Sequence, residues 1–214
     1  MNVLITGFDP FGGAAINPAF EAVKLLPDTN EGAKIHKLEI PTVFKKDGEV
    51  LAKAIEEQNP DIVICVGQAG GRSDISVEKV AINLMEARIP DNEEQQPLNQ
   101  VIYEDGETAY FATLPVKAMV SKVKEAGIPS SVSYTAGTFV CNDIMYRLLY
   151  LADKEGKNLK GGFIHVPYLP EQVIDLPVGT PSLSVETIAK GLEAAVAAAV
   201  INDEDQNVAM GTIM

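Results

Sequence analysis

In the stretch "YTAGTFVCNDIMY", small and β-branched residues run into Cys141, and an amphipathic helical pattern follows at once. A thiol at a helix start meets unpaired backbone N–H groups and the positive end of the helix dipole, which would stabilise a thiolate and lower its pKa. An inert thiol at a helix start fits the same residues. Cys65, inside "DIVICV", reads instead as a small buried hydrophobe of a strand. The chain has two histidines. His36 lies among the lysines of an alternating strand and reads as solvated. His165, in "GGFIHVPYLP", closes an apolar strand just before a proline turn. That is a place from which an imidazole reaches a thiol, and a satisfied core histidine is the alternative. Glu78, in "DISVEKVAINL", shares a strand face with Val80 and Ile82, with Lys79 on the other face. A carboxylate on an apolar face needs a partner such as an imidazole; an edge-strand glutamate in water fits the same pattern. Together the three supply the parts of cysteine acyl transfer: a sulfur that attacks, an imidazole that moves the proton and a carboxylate that orients the ring.

The elements that must position these residues alternate. "NVLIT" reads as a first strand. Asn17 and Pro18 read as cap and first-turn proline of a helix over "NPAFEAVKLLPD". "AKIHKLEIPT" is a second strand, "GEVLAKAIEEQNP" a helix stopped before Pro60, and the wholly apolar "DIVICVG" a third strand covered on both faces. A strand over "DISVEKVAINL", a helix ending at Gly127, an extended "SSVSYTAGTFV", a helix over "NDIMYRLLYLADKEG", a strand in "GGFIHVPYLP" and a long helix over "SVETIAKGLEAAVAAAV" complete the order. Such alternation predicts an α/β fold with a mostly parallel sheet and helices on both faces, in one domain over 1–214. The acidic, turn-rich segment 88–107 reads as a surface excursion. In open sheets of this kind the chemistry gathers at the carboxyl ends of strands.

Composition removes other classes of function. A net charge of −13 argues against a nucleic-acid backbone or an anionic membrane as partner. No apolar run approaches membrane-spanning length, and "MNVLITGFDP" reads as a strand, so a cytoplasmic protein is expected. Two cysteines make no disulfide framework, and neither CxxC nor HExxH is present, so no metal and no cofactor are expected. "GFDPFGG" lacks the dinucleotide fingerprint and "GQAGGR" lacks the lysine of a P-loop. What remains are turns at strand ends that can offer backbone groups to a ligand. Phe8 and Phe11 in the first turn read either as pocket walls or as core plugs.

"GFDPFGG", "GQAGGRSDISVEKVAIN", "SYTAGTFVCND" and "FIHVPYLP" resemble the signature segments of the pyroglutamyl peptidase I family, the pyrrolidone-carboxylate peptidases. The resemblance runs from Asn2 to the C-terminal helix and is weakest at 91–96 and after Ile201. It implies a three-layer α/β/α sandwich and an intracellular thiol protease that removes N-terminal 5-oxoprolyl (pyroglutamyl) residues from peptides, commonly as a homotetramer and without a cofactor. Carried onto this chain, it makes Cys141 the nucleophile, His165 the proton shuttle and Glu78 the orienting acid. The uncharged lactam would lie against Phe8, Phe11, Val140 and Ile89, with hydrogen bonds from the region of Gln68 and Asn17. Backbone N–H groups at the start of the Cys141 helix would hold the oxyanion, with Arg88 either as further support or as an ordinary surface arginine. A cysteine hydrolase of another small amide, or a non-catalytic domain that keeps the cleft, are the competing readings.

Overall fold

A computed structural model of the chain describes residues 1–154, 156 and 159–211. Strands β1 (Asn2–Phe8), β4 (Ile62–Gln68) and β9 (Lys160–Val166) are buried almost end to end. Their largely apolar sequences follow from being covered on both faces. β1 pairs in parallel with β3 (Ala33–Ile40) and with β4, and β4 pairs in parallel with β9. The short β2 (Thr29–Asn30) runs antiparallel along the outer side of β3. Beyond β9 the direction changes: β5 (Ile75–Glu78) is antiparallel to β9 and parallel to β8 (Ser130–Ser133). The order is β2–β3–β1–β4–β9–β5–β8, a mostly parallel sheet as expected.

Helices α1 (Pro18–Lys24), α3 (Val116–Glu125) and α5 (Val185–Ile201) pack together on one face, and α2 (Lys46–Gln58) and α4 (Val140–Lys154) on the other. The result is the three-layer α/β/α sandwich. Two strand glycines let the helices approach closely: a Cβ at Gly7 would lie 2.6 Å from the Phe20 backbone of α1, and one at Gly67 2.9 Å from Cys141 Sγ on α4. Several local readings hold. Asn17 caps α1, its Oδ1 accepting from the Ala19 N–H at 3.0 Å. α3 gives way to Gly127 at φ 81°, the left-handed backbone that glycine adopts without penalty.

Four readings change. The single strand over "DISVEKVAINL" breaks at Lys79, and β6 (Val80–Ile82) leaves the main sheet to pair with β7 (Ala109–Phe111). The extended "SSVSYTAGTFV" is a strand only over Ser130–Ser133, followed by an irregular loop. Helix α4 starts earlier than expected, so Cys141 lies inside its first turn; residue 155 of that reading lies outside the described residues. The 88–107 segment is tied down: buried Asp91 accepts from the N–H groups of Phe44, Glu93 and Gln95. The tail after Ile201 also has work, since Asp205 Oδ1 accepts from Lys117 and Ala118 N–H at 2.8 and 3.1 Å. It thereby caps α3, whose own leading residue, Pro115, has no side-chain cap. Residues 212–214 of that tail lie outside the described residues.

Candidate active site

Register explains how residues far apart in sequence share one face. Cys65 pairs beside Phe163 and Gly67 beside His165, while Glu78 pairs opposite Phe163. In a pleated sheet, paired neighbours and next-but-one residues point the same way, so Glu78, Phe163 and His165 all face α4. The antiparallel β5 sets Glu78 one diagonal step from His165. Nδ1 of His165 lies 2.7 Å from Glu78 Oε1, and both side chains are buried. The reading of Glu78 as an inward-facing carboxylate is met, but not through a common face with Val80 and Ile82, because the strand ends at Glu78 itself.

Cys141 reaches the same place from α4. It is half-buried, and it lines a cavity of about 280 Å³ together with His165. Its thiol is not held as a resting thiolate. Burial pushes the Cys141 pKa up, the carboxylate of Glu78 pushes it further, and the opposing pull of Arg72 does not reverse them. The expected depression at the helix start is not met: desolvation and the Glu78 carboxylate set the direction instead. Burial also lowers the His165 pKa, against the raising effect of Glu78, and Arg72 lowers it further. For Glu78, burial opposes ionisation, but the bond and charge of His165, with help from Ser133 and Arg72, hold the carboxyl below its ordinary value. The resting set is therefore a neutral thiol, a neutral imidazole and a carboxylate. A carboxylate only accepts, so Nδ1 carries the imidazole proton and Nε2 is left as the base.

The cavity wall is apolar where the resemblance placed the ring. Phe8, Phe11 and Val140 line it, joined by Phe139, whose ring lies 6.3 Å from that of Phe11. Phe139 went unnoticed in sequence although it stands two residues before the cysteine. Gln68 lines the cavity too, its Oε1 accepting from Gln172 Nε2 at 2.8 Å, which orients the amide. Asn17 lines it as well, but its polar atoms hold the turn: Oδ1 bonds to Ala19 and Nδ2 donates to the Asp9 carbonyl at 2.9 Å. Ile89 and Arg88 stand in an adjoining cavity that shares Phe11 and Gln68 with this one. Both are exposed and line the neighbouring cavity of about 890 Å³, not the one holding Cys141. Arg88 is thus not a lining residue at the sulfur. The cation that does line the cavity is Arg72, which sequence reading passed over inside the "GQAGGR" turn.

The helix start also differs from expectation as an oxyanion site. The N–H groups of Asn142 and Asp143 both donate to the Phe139 carbonyl at 3.1 Å. Among the described residues, the Cys141 N–H donates to no protein group. No carboxylate is among the cavity-lining residues. Among the described residues, no group of three or more His, Cys, Asp or Glu is gathered as a metal site requires, and no helix is long and apolar enough to cross a membrane.

Comparison with known proteins places the whole chain in one family. Residues 1–202 match the family described as pyroglutamyl peptidase. The chain is 59% identical over 213 residues to a pyrrolidone-carboxylate peptidase of Clostridium perfringens, covering 100% of both chains. It is 58% identical over 212 residues to that of Enterococcus faecalis, covering 99% of each. Its fold superposes on the crystal structure of pyroglutamyl peptidase I from Bacillus amyloliquefaciens with a TM-score of 0.94 and 49% identity, over 97% of this chain and 99% of that one. The pyrrolidone carboxyl peptidase of Thermococcus litoralis superposes with a TM-score of 0.89 and 42% identity, over 93% of each chain.

Proposed function

The chain belongs to the pyroglutamyl peptidase family, cysteine peptidases that remove N-terminal pyroglutamyl residues from peptides, and we propose that Cys141, His165 and Glu78 carry out that reaction here. The observation that carries the assignment is the 2.7 Å bond from His165 to Glu78 beside a cavity that also exposes Cys141. Because thiol and imidazole rest neutral, the thiolate forms only as the carbonyl is attacked. The Cys141 proton passes to His165 Nε2 while Sγ bonds to the carbonyl carbon that joins the lactam to the next residue. The Cys141 N–H, unused by the protein, donates to the oxygen that becomes negative. Collapse expels the amine, which takes the proton back from Nε2 and leaves a thioester. Water, deprotonated by Nε2, then releases 5-oxoproline and returns the proton to sulfur. Glu78 holds Nδ1–H throughout and stabilises the transient imidazolium.

The pocket chemistry supports a lactam. A free N-terminal ammonium would need a carboxylate to meet it, and the cavity lining has none. An uncharged ring instead fits against the apolar wall of Phe8, Phe11, Phe139 and Val140, with Gln68 offering an amide to the lactam polar groups. A prolyl residue, lacking the ring carbonyl, would leave such a donor unpaired at a cost of roughly 1–3 kcal/mol. Turnover of 5-oxoprolyl and prolyl amides by the purified protein, with and without a thiol alkylator, tests this. The expected result is hydrolysis of the 5-oxoprolyl amide alone, abolished by alkylation; preference for the prolyl amide overturns the pocket reading. We read 1–214 as one peptidase domain, and its two free thiols as fitting a reducing cytoplasm. A homotetramer is the proposed assembly, resting on the family resemblance and checked by light scattering.

A further inference from the structure

Glu78 Oε1 accepts two bonds: one from His165 Nδ1 at 2.7 Å and one from Arg72 Nη1 at 2.8 Å. Arg72 makes a second attachment, from Nη2 to the Thr135 carbonyl at 3.2 Å. Thr135 belongs to the loop 134–139 that brings Phe139 to the cavity and runs into the Cys141 helix. One planar guanidinium therefore spans the acid of the triad and the approach to its nucleophile, a two-point geometry that lysine cannot copy.

We propose that Arg72 is a positioning residue of the reaction: it locks Glu78 and the 134–139 loop together, so that His165 keeps Nδ1–H on the acid and Nε2 open toward Cys141. The inference rests on the triad reading above and extends it to a fourth side chain. Its physical basis is a charge that would otherwise stand alone. Glu78 has no exposed surface, whereas the Arg72 side chain keeps 30% of its own. When the imidazole is neutral, it gives Glu78 a hydrogen bond but no positive charge. A buried carboxylate with no cation tends to take up a proton, and a protonated Glu78 no longer fixes which imidazole nitrogen carries hydrogen. Arg72 is the permanent cation that prevents this. It also repels an imidazolium, so it opposes premature protonation of His165. The charged groups acting on the ring are Glu78 from β5 and Arg72 from the loop after β4. On the thiol, Asp47 of α2 and Cys65 of β4 act in addition to those two.

The full chain carries its own reference for the test, because only two histidines are present and His36 sits on a different strand. Nitrogen-15 NMR would follow the tautomer and titration of both imidazoles in wild type, Arg72→Met and Arg72→Lys. The pH dependence of kcat/KM on a 5-oxoprolyl amide would be recorded beside it. In Arg72→Met the His165 titration and the acid limb of kcat/KM should both rise by about one pH unit. A protonated Nε2 tautomer should appear, kcat should fall roughly tenfold to a hundredfold with little change in KM, and His36 should not move. In Arg72→Lys the titration should stay near wild type while kcat falls, since the charge is kept and the link to Thr135 is lost. An unchanged His165 tautomer and acid limb in Arg72→Met, or an effect confined to KM or melting temperature, overturns the proposal. If Arg72→Met does not fold, wild-type kcat in Arg72→Lys overturns it equally. Should the variants shift the His165 signals as expected while the wild type does not cleave the amide, the functional reading fails, and what stands is that Arg72 sets the His165 tautomer.

Discussion

Two buried groups of acids and bases lie on the α4 side of the sheet. One is Glu78, His165 and Arg72; the other is Asp47, Asp143 and Arg147, between α2 and α4. The second is more deeply buried: Asp47 and Asp143 are 0% exposed and Arg147 only 7%. Arg147 Nε donates to Asp143 Oδ2 at 2.9 Å, and the Lys45 N–H donates to the same oxygen at 3.0 Å. Burial drives the Asp47 pKa well above its ordinary value, the charge of Asp143 adds to that, and the Gly48 N–H and Arg147 only partly offset it. Asp47 therefore favours the protonated acid beside an Asp143–Arg147 ion pair. Each group balances one guanidinium against one carboxylate, with a third member neutral. What separates them is access. In the first, the neutral member is an imidazole whose second nitrogen remains a base beside a cavity. In the second, the neutral member is an acid sealed between two helices, and its proton has nowhere to go. Burial of ionisable side chains does not by itself mark a site; a titratable atom beside open space does.

Replacing the sulfur gives the largest contrast. Cys141→Ala should abolish hydrolysis while thermal melting stays near wild type. Cys65→Ala should retain activity and lose about 1 kcal/mol in a denaturant titration, because a fully buried thiol leaves a small cavity. An active Cys141→Ala protein would end the comparison at once.

Next comes the acid. Glu78→Gln should lower kcat at least about a hundredfold, since an amide can hold the wrong imidazole tautomer. In wild type, the depressed His165 pKa places the acid limb of kcat/KM below the ordinary imidazole value of 6.5, with activity lost as pH falls through the limb. A pH–rate profile with its acid limb above that value contradicts a neutral resting imidazole.

The sealed group should answer in stability. Arg147→Met leaves Asp143 buried without its cation, and unfolding free energy should drop by about 3–5 kcal/mol. The kcat/KM of the protein that remains folded should change little, and a selective loss of kcat would mean that this group also takes part in the chemistry. Asp47→Asn should have the smallest effect, within about 1 kcal/mol at neutral pH. Here the sign is set by the raised native pKa. The stability contributed by the wild-type acid is full below the ordinary value of 3.8 and is lost as pH rises through the native one. The amide has no such loss, so the variant should gain on wild type as pH increases, measured by melting from below pH 3.8 upward.

Much of the fold was legible because it depends on short-range pattern. The apolar runs of β1, β4 and β9 are those of strands covered on both faces, and Asn17 with Pro18 announces a helix start whatever lies beyond it. The break at Lys79 was hidden, since "SVEKVAI" alternates as one strand; it is pairing with β9 and β8 on one side and β7 on the other that divides it. The Asp205 cap on α3 was hidden for the same reason, lying 88 residues from Lys117.

For the site, the sequence determined which chemistry was possible. It holds a cysteine at a helix start, a histidine at a strand end and a glutamate beside apolar residues, in segments that resemble one peptidase family. Tertiary structure alone decided the state and company of those groups. Glu78 and His165 are 87 residues apart and meet only through an antiparallel strand. The thiol rests neutral because burial and the Glu78 carboxylate act on it, the Asn17 amide is spent on a turn, Arg88 faces another cavity, and Arg72 stands on the acid. Proton affinity and hydrogen-bond supply are set by everything within a few ångströms in space, and no spacing along the chain encodes that sum.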